Sequence, residues 1–158
     1  MNDEIRQKIL DVHNELRSLT ARGLAKDKLG GTAPQAAAMY KLQYKCDLEK
    51  FAVAHASKCV YGHTAQSSRQ GVGENIFAIS LPSAERPWAG EMAVKSWFEE
   101  LEKYGVGQEN LFTDELVNRN NTMIGHYTQV VWGKTKYIGC AVQNCDSMTF
   151  VTCNYQQA

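Results

Sequence analysis

The chain carries no excess charge of either sign: 17 Lys and Arg balance 17 Asp and Glu. No basic stripe therefore offers itself to a phosphate backbone, and nucleic acid is set aside as a partner. No apolar run reaches the roughly 18 residues of a membrane helix, so no transmembrane segment is expected. Met1-Asn2-Asp3-Glu4 lacks the basic and then apolar opening of a signal peptide. That leaves a cytosolic chain, or a mature secreted domain whose leader was replaced by a start Met. No Cys-x-x-Cys pair occurs, which argues against a zinc knuckle or a thioredoxin-like motif. No repeat, low-complexity tract or linker divides the 158 residues, so a single domain over 1–158 is expected.

What is present favours the secreted reading. Of five cysteines, Cys140, Cys145 and Cys153 crowd the C-terminal end, and disulfides persist in oxidising compartments. The odd count leaves one thiol unpaired or bonded to another chain, which would make a dimer. Asn120-Asn121-Thr122 is a glycosylation sequon at Asn120.

Along the chain, Ile5, Ile9, Val12, Leu16 and Leu19 recur at helical spacing over residues 3–22, with Gly23 as the stop. His13 and Arg17 share a face of this helix. With Asn14 they offer a polar anchor, but the habit of charged side chains favours a solvent-facing reading. Residues 23–38 read as a Gly- and Ala-rich loop, and Met39, Leu42 and Tyr44 as a short extended segment. Asp47 is the expected N-cap of a second helix running through Cys59, with Leu48, Phe51, Ala52, Ala56 and Cys59 on its buried stripe. His55 lies near that stripe and is read as a packing residue outside any site. Residues 88–104 form the next helical pattern, ended by Gly105, and 105–124 a polar surface connection. Gly125 to Trp132 reads as a histidine at the threshold of an apolar strand. Tyr137–Val142 and Met148–Tyr155 read as two strands of a hairpin turning at Asp146-Ser147. In that register position 140 lies across from 153, which predicts a Cys140–Cys153 disulfide worth roughly 3 kcal/mol. Cys145 is then left for Cys59 or Cys46. Helices first and strands last suggest an α/β chain with an antiparallel sheet.

Four segments, in order, resemble the CAP superfamily of cysteine-rich secretory proteins, antigen 5 and pathogenesis-related 1 proteins. They are His13-Asn14-Glu15-Leu16-Arg17, Gly73-Glu74-Asn75-Ile76, Gly125 to Trp132 with Thr135, and Phe150 to Tyr155. The stretches 30–34, 46–50 and 105–108 are similar to the nematode branch of Ancylostoma-secreted and venom-allergen-like proteins. The resemblance implies a three-layer α–β–α sandwich and a cavity lined by His63, Glu74, Glu100 and His126, with Glu99 as the alternative to Glu100. It also implies a Cys59–Cys145 disulfide and agrees with Cys140–Cys153. Thr64 replaces the usual Ser after the histidine, and Gln157 stands where Pro or a small residue is usual. Thr149 stands where close relatives carry another Cys, which would strand Cys46. The cysteine-rich tail domain of longer members, with its ion-channel and protein-binding roles, is not expected.

Two imidazoles and two carboxylates permit three outcomes. His63 and His126, with Glu74 and Glu100 nearby, can bind zinc or another divalent cation, although no His-x-x-x-His pair fixes the geometry. The same tetrad can serve a metal-dependent protease or esterase, but Ser67, Ser68, Ser96 and Thr128 have no nucleophile motif around them. Or the four side chains form a hydrogen-bonded cluster that ties segments together. Separately, Ile76, Phe77, Ile79, Leu81 and Trp88 form an apolar, loop-like surface for small lipids, and the resemblance implies sterol or fatty-acid binding. The competing reading makes Ile76, Phe77 and Ile79 core. The expectation is a secreted, extracellular, non-enzymatic effector requiring no cofactor. It would bind small lipids or sterols or modulate host extracellular and immune proteins, with the hydrolase and a receptor-antagonist module as alternatives.

Overall fold

A computed structural model describes residues 1–156; the Gln157 departure lies outside the described residues. The first helix, α1 (Asp3–Ala21), opens at Asn2, whose side chain accepts from the Ile5 N–H, a capping bond. A two-residue strand, β1 (Gln43–Tyr44), runs directly into α2 (Cys46–Ala56). A 3-10 turn (Gln66–Ser68) precedes β2 (Val72–Ile79). Then come α3 (Arg86–Phe98), α4 (Glu100–Tyr104), α5 (Asp114–Val117), α6 (Gly125–Val130), β3 (Tyr137–Asn144) and β4 (Thr149–Gln156).

The sheet order is β1-β3-β4-β2. It is antiparallel through β3, β4 and β2, and β1 adds a short parallel pairing to β3. Along β4 the side chains alternate between two packed layers. Val151, Cys153 and Tyr155 join Ile138, Cys140 and Val142 of β3 against Ile5, Ile9 and Val12 of α1 and Ala93, Val94 and Trp97 of α3. Phe150, on the opposite face, packs with Ala52 and Ala56 of α2 and Ile76 of β2. These are the three α–β–α layers. Between its two helical layers β4 is buried from Thr149 to Tyr155, which explains its near-continuous apolar run with only small polar interruptions.

Cys140 pairs with Cys153 across the β3–β4 ladder, as the hairpin register requires, and the two form a disulfide. The second disulfide joins Cys59 to Cys145 and fastens the end of the α2 segment to the hairpin turn. Cys46 is a free, exposed thiol.

Several local expectations are overturned. The second helix starts at Cys46 with Lys45 at the cap rather than Asp47. The Lys45 N–H still bonds the Ile138 carbonyl, so strand pairing rather than a side-chain cap sets where the helix begins. It ends at Ala56, and Cys59 adopts φ 53 beyond it, held by its disulfide. Phe51 is exposed, because the inward stripe of α2 is Leu48, Ala52, His55 and Ala56. The pattern over 88–104 divides at Glu99 into α3 and α4. The run from Gly125 is helix, not strand. Tyr127 and Val130, three residues apart, are both buried, and a short apolar run does not distinguish the two periods.

The solvent-facing reading of His13 and Arg17 is also overturned: their exposures are 0% and 2%. Arg17 uses all five of its N–H donors on backbone carbonyls. Nη1 donates to Val130 O (2.8 Å) and Trp132 O (2.9 Å). Nη2 donates to Tyr40 O (2.7 Å) and Thr135 O (3.4 Å), and Nε to Tyr40 O (3.2 Å). Two of these carbonyls lie at the end of α6, where helix geometry leaves acceptors without partners. Burial lowers the Arg17 pKa to about 10, which leaves it charged at neutral pH. Arg17→Lys keeps the charge but not the planar fork, and is expected to destabilise by roughly 3 kcal/mol. Urea unfolding measures this; an unchanged midpoint would contradict the clamp.

Candidate functional site

The four residues singled out in the sequence assemble as two carboxylate–imidazole pairs at the β2 edge of the sheet. Glu74 of β2 receives the first. Its Oε1 lies 2.9 Å from His63 Nδ1 and 2.9 Å from the Thr64 N–H, and Thr64 Oγ1 donates to Oε2 at 2.8 Å. Arg69 Nε stands 3.8 Å away. Burial works against charge on Glu74, but the hydrogen bonds from Thr64 and His63 more than offset it and hold the carboxyl below its usual range. Glu100, the first residue of α4, receives the second. Its Oε1 lies 2.6 Å from His126 Nδ1, and its Oε2 accepts the Tyr127 N–H at 2.9 Å. Glu99 points away into an exposed ion pair with Lys103, so Glu100 is the member at the site.

A carboxylate can only accept, so Nδ1 of His63 and of His126 carries the proton. That leaves Nε2 of each ring as the lone-pair nitrogen. His63 is half exposed and His126 mostly covered, its ring lying near-parallel to Trp97 at 13°.

Successive residues of β2 face opposite ways. Glu74 turns toward α2, and Asn75 turns toward α1 and α6. Asn75 Nδ2 donates to the His126 carbonyl (3.1 Å) and to Tyr155 Oη (3.3 Å). Tyr155 Oη lies 2.9 Å from His13 Nε2, and His13 Nδ1 lies 2.8 Å from Ile9 O. Since Ile9 O can only accept, His13 Nδ1 is the protonated nitrogen, and Tyr155 donates to Nε2. One directed chain of bonds thus runs from β2 through β4 to α1 and holds the backbone of α6 where His126 projects. No sequence motif displayed Tyr155 as part of this support.

The reading that kept His55 outside the site is corrected. It occupies the inward stripe of α2, is buried, and places Nδ1 3.1 Å from Glu74 Oε2. Its seven-residue step from Leu48, on the helical period, is the signal that could have placed it.

The apolar segment after Glu74 is strand rather than loop. Ile76 is in the core behind α2, so it is unavailable to a surface ligand. Phe77 and Ile79 are half-buried against the core, while Leu81 and Trp88 are exposed. Phe77 and Trp88 share a groove of about 460 Å³ with Met92 and Lys95. Sequence reasoning missed a larger cavity, about 810 Å³, between the 105–124 connection and the end of α6. Its walls include Met39, Tyr40, Phe112, Leu116, Val131 and Trp132. Asn120, the sequon residue, is exposed.

A sheet layered between helices, with carboxylate–imidazole pairs at its edge, defines the class of fold to which known proteins can be compared. Residues 10–155 match the CAP, or cysteine-rich secretory protein, family, and the chain belongs to it. It is 46% identical over 98% of its length to the Ancylostoma secreted protein of Ancylostoma caninum, spanning 37% of that relative. The crystal structure of Na-ASP-1 matches with a TM-score of 0.96 at 47% identity, over 98% of this chain and 39% of that one. The crystal structure of NaASP2 with Zn2+ matches with a TM-score of 0.95 at 46% identity, over 100% of this chain and 82% of that one. The likeness places the chain in the nematode Ancylostoma-secreted and venom-allergen-like branch.

The supporting chain of bonds requires neutral His13, whose pKa burial lowers from 6.5 to about 4. The unfolded chain takes up this proton below about pH 6.5 and the folded chain only near 4, so stability falls as pH drops through that window. The expected loss is roughly 3 kcal/mol. Urea unfolding at about pH 7 and about pH 4.5 measures it; equal stability at both would contradict the His13 assignment.

Proposed function

We propose that the chain is a secreted, extracellular domain that carries a small lipid, a sterol or fatty acid, in the cavity beside α6. The observation that supports this most directly is the cavity itself. It has the size of a small-molecule site, predominantly apolar walls, and polar groups confined to a few positions such as Thr128 and Asn110. Its aromatic side, Phe112 set edge-on to Trp132, suits a flat hydrocarbon skeleton. This relocates lipid binding from Ile76, Phe77, Ile79, Leu81 and Trp88. Two disulfides and the name of the Ancylostoma secreted relative support an extracellular setting. Engagement of host extracellular or immune proteins is a further property of such a carrier.

The paired histidines suit a divalent cation as a separate property. Each ring has its Nδ1 proton held by a glutamate, the outer-shell arrangement that orients an imidazole ligand and raises its basicity. Nε2 of His63 and Nε2 of His126 would hold the ion, with Glu74 and Glu100 as orienting partners rather than ligands. Among the described residues no three His, Cys, Asp or Glu side chains are grouped to hold a metal. The ion would therefore complete its shell with water. The NaASP2 structure with Zn2+ supports zinc as the first ion to try. The ion would supply Lewis acidity, which is the ground for the alternative hydrolase reading.

Three measurements separate these properties. Ala38→Trp, a bulky side chain at an exposed position on the cavity wall, is expected to weaken dehydroergosterol or cis-parinaric acid binding about tenfold or more. Unaltered binding would displace the lipid from this cavity. The double variant His63→Ala, His126→Ala is expected to lose zinc in equilibrium dialysis yet keep lipid affinity. Cleavage of a peptide or ester by the wild-type domain, lost in the same double variant, would instead establish the hydrolase.

A further inference from the structure

A second cavity, of about 300 Å³, lies on the opposite side of β2 from Asn75, between α2 and the 3-10 turn. Its wall includes Glu74 and Thr64, but not the His63 ring, and the rest comes from other elements. Phe51, Ala54 and His55 of α2 and Lys58 just beyond it form one side, with Val72 of β2 and Asn154 of β4 at the back and Ser68, Arg69 and Gln70 at the turn.

Two buried polar atoms on this wall have no hydrogen-bond partner among the described residues: His55 Nδ1 and Asn154 Oδ1. His55 is 7% exposed and Asn154 3%. His55 Nδ1 lies 3.1 Å from Glu74 Oε2, but off the line of a hydrogen bond. Asn154 spends only its amide nitrogen, on a long 3.5 Å bond to Gly73 O. A buried amide oxygen without a donor is costly, and Asn154 is part of the wall of this cavity. On Glu74, Oε1 already accepts from His63 and the Thr64 N–H, while Oε2 accepts from Thr64 Oγ1 and is faced by His55 Nδ1.

The mouth has the opposite requirement. Lys58 is exposed there and forms no ion pair among the described residues. Arg69 uses Nε and Nη1 on the Thr64 and Val72 carbonyls and stands 3.8 Å from Glu74. With Lys58 and Arg69 positive and Glu74 negative, the wall keeps one cationic charge in excess, at the end facing solvent. The apolar lining between the two ends is Phe51, Ala54 and Val72.

We propose that this cavity binds a metabolite-sized carboxylate that carries a hydrogen-bond donor at its far end. The hydroxyl or amine donates to Asn154 Oδ1 beside His55, the apolar body lies along Phe51 and Val72, and the carboxylate pairs with Lys58 at the mouth. The volume admits a single ring with short substituents and is too small for a sterol. This ligand is independent of the lipid in the cavity beside α6, which shares no wall residue with this one.

The test is a titration of the 15N-labelled full chain with 4-hydroxyphenylacetate, followed by amide shifts. Saturable shifts are expected at residues 54–58, 70–74 and 154. Two analogues dissect the contacts: tyrosol lacks the carboxylate and 4-methylphenylacetate lacks the donor. Each is expected to bind about tenfold more weakly. Lys58→Met should cost about tenfold for the parent acid and leave tyrosol unaffected. Ala54→Phe, at an exposed helix position, should fill the mouth and abolish binding; the spectra themselves report that both variants fold. The proposal is overturned by an absence of saturable shifts, by shifts confined to Tyr40, Leu116 and Trp132, or by affinity indifferent to both variants. A soaked crystal in which only water bridges His55 and Asn154 would overturn it as well.

Discussion

One buried guanidinium sets the position of everything around α6. Arg17 enters the protein interior without a carboxylate partner among the described residues and is satisfied by the carbonyls of Tyr40, Val130, Trp132 and Thr135. Burying a charge without such bonds is prohibitive, so these four carbonyls and the α1 backbone must hold their places together. The consequence reaches both candidate sites. Val130 terminates the helix that carries His126, and Tyr40 and Trp132 are walls of the larger cavity. A lipid in that cavity and an ion on His126 would therefore rest on the same clamp while touching none of the same atoms.

The second organising feature is the alternation of β2. Because successive strand residues face opposite ways, Glu74 and Asn75 serve different neighbourhoods one residue apart. Glu74 accepts from Thr64 and His63 and is approached by His55. Asn75 joins a directed chain through Tyr155 to neutral His13. The tetrad is thus two oriented imidazoles rather than one ring of ligands. Each glutamate fixes a tautomer, and each backbone N–H that it also accepts, from Thr64 or Tyr127, fixes the glutamate. This arrangement presents the Nε2 lone pairs with little freedom to move.

Much of the architecture was legible from periodicity. Alternation over 137–155 with Asp146-Ser147 at its turn specified the hairpin register, and the register alone placed Cys140 opposite Cys153. The three- and four-residue steps of Ile5, Ile9 and Val12 displayed the buried face of α1. Failures occurred where a short segment satisfies two periods or where a polar residue lies on an apolar stripe. Gly125–Val130 is too short for pattern to separate helix from strand. His13 and Arg17 fall on inward faces, and general exposure habits misplace both because their burial depends on partners distant in the chain. Tyr155, 142 residues from His13, is such a partner.

By itself the sequence determined the family motifs, the hairpin and its disulfide, and the identity of the four residues in the paired site. The hairpin and its disulfide follow from local spacing, and the four residues from the resemblance of their motifs to the family. Only the tertiary structure decided that the four form two separate pairs, that His55 joins Glu74, and that Arg17 is buried against backbone carbonyls. It also located the two cavities, one apolar beside α6 and one with unmet polar atoms beneath α2. A cavity is the space left where several elements fail to meet, and an unpartnered atom is defined by what surrounds it. Neither has a period or a motif along the chain.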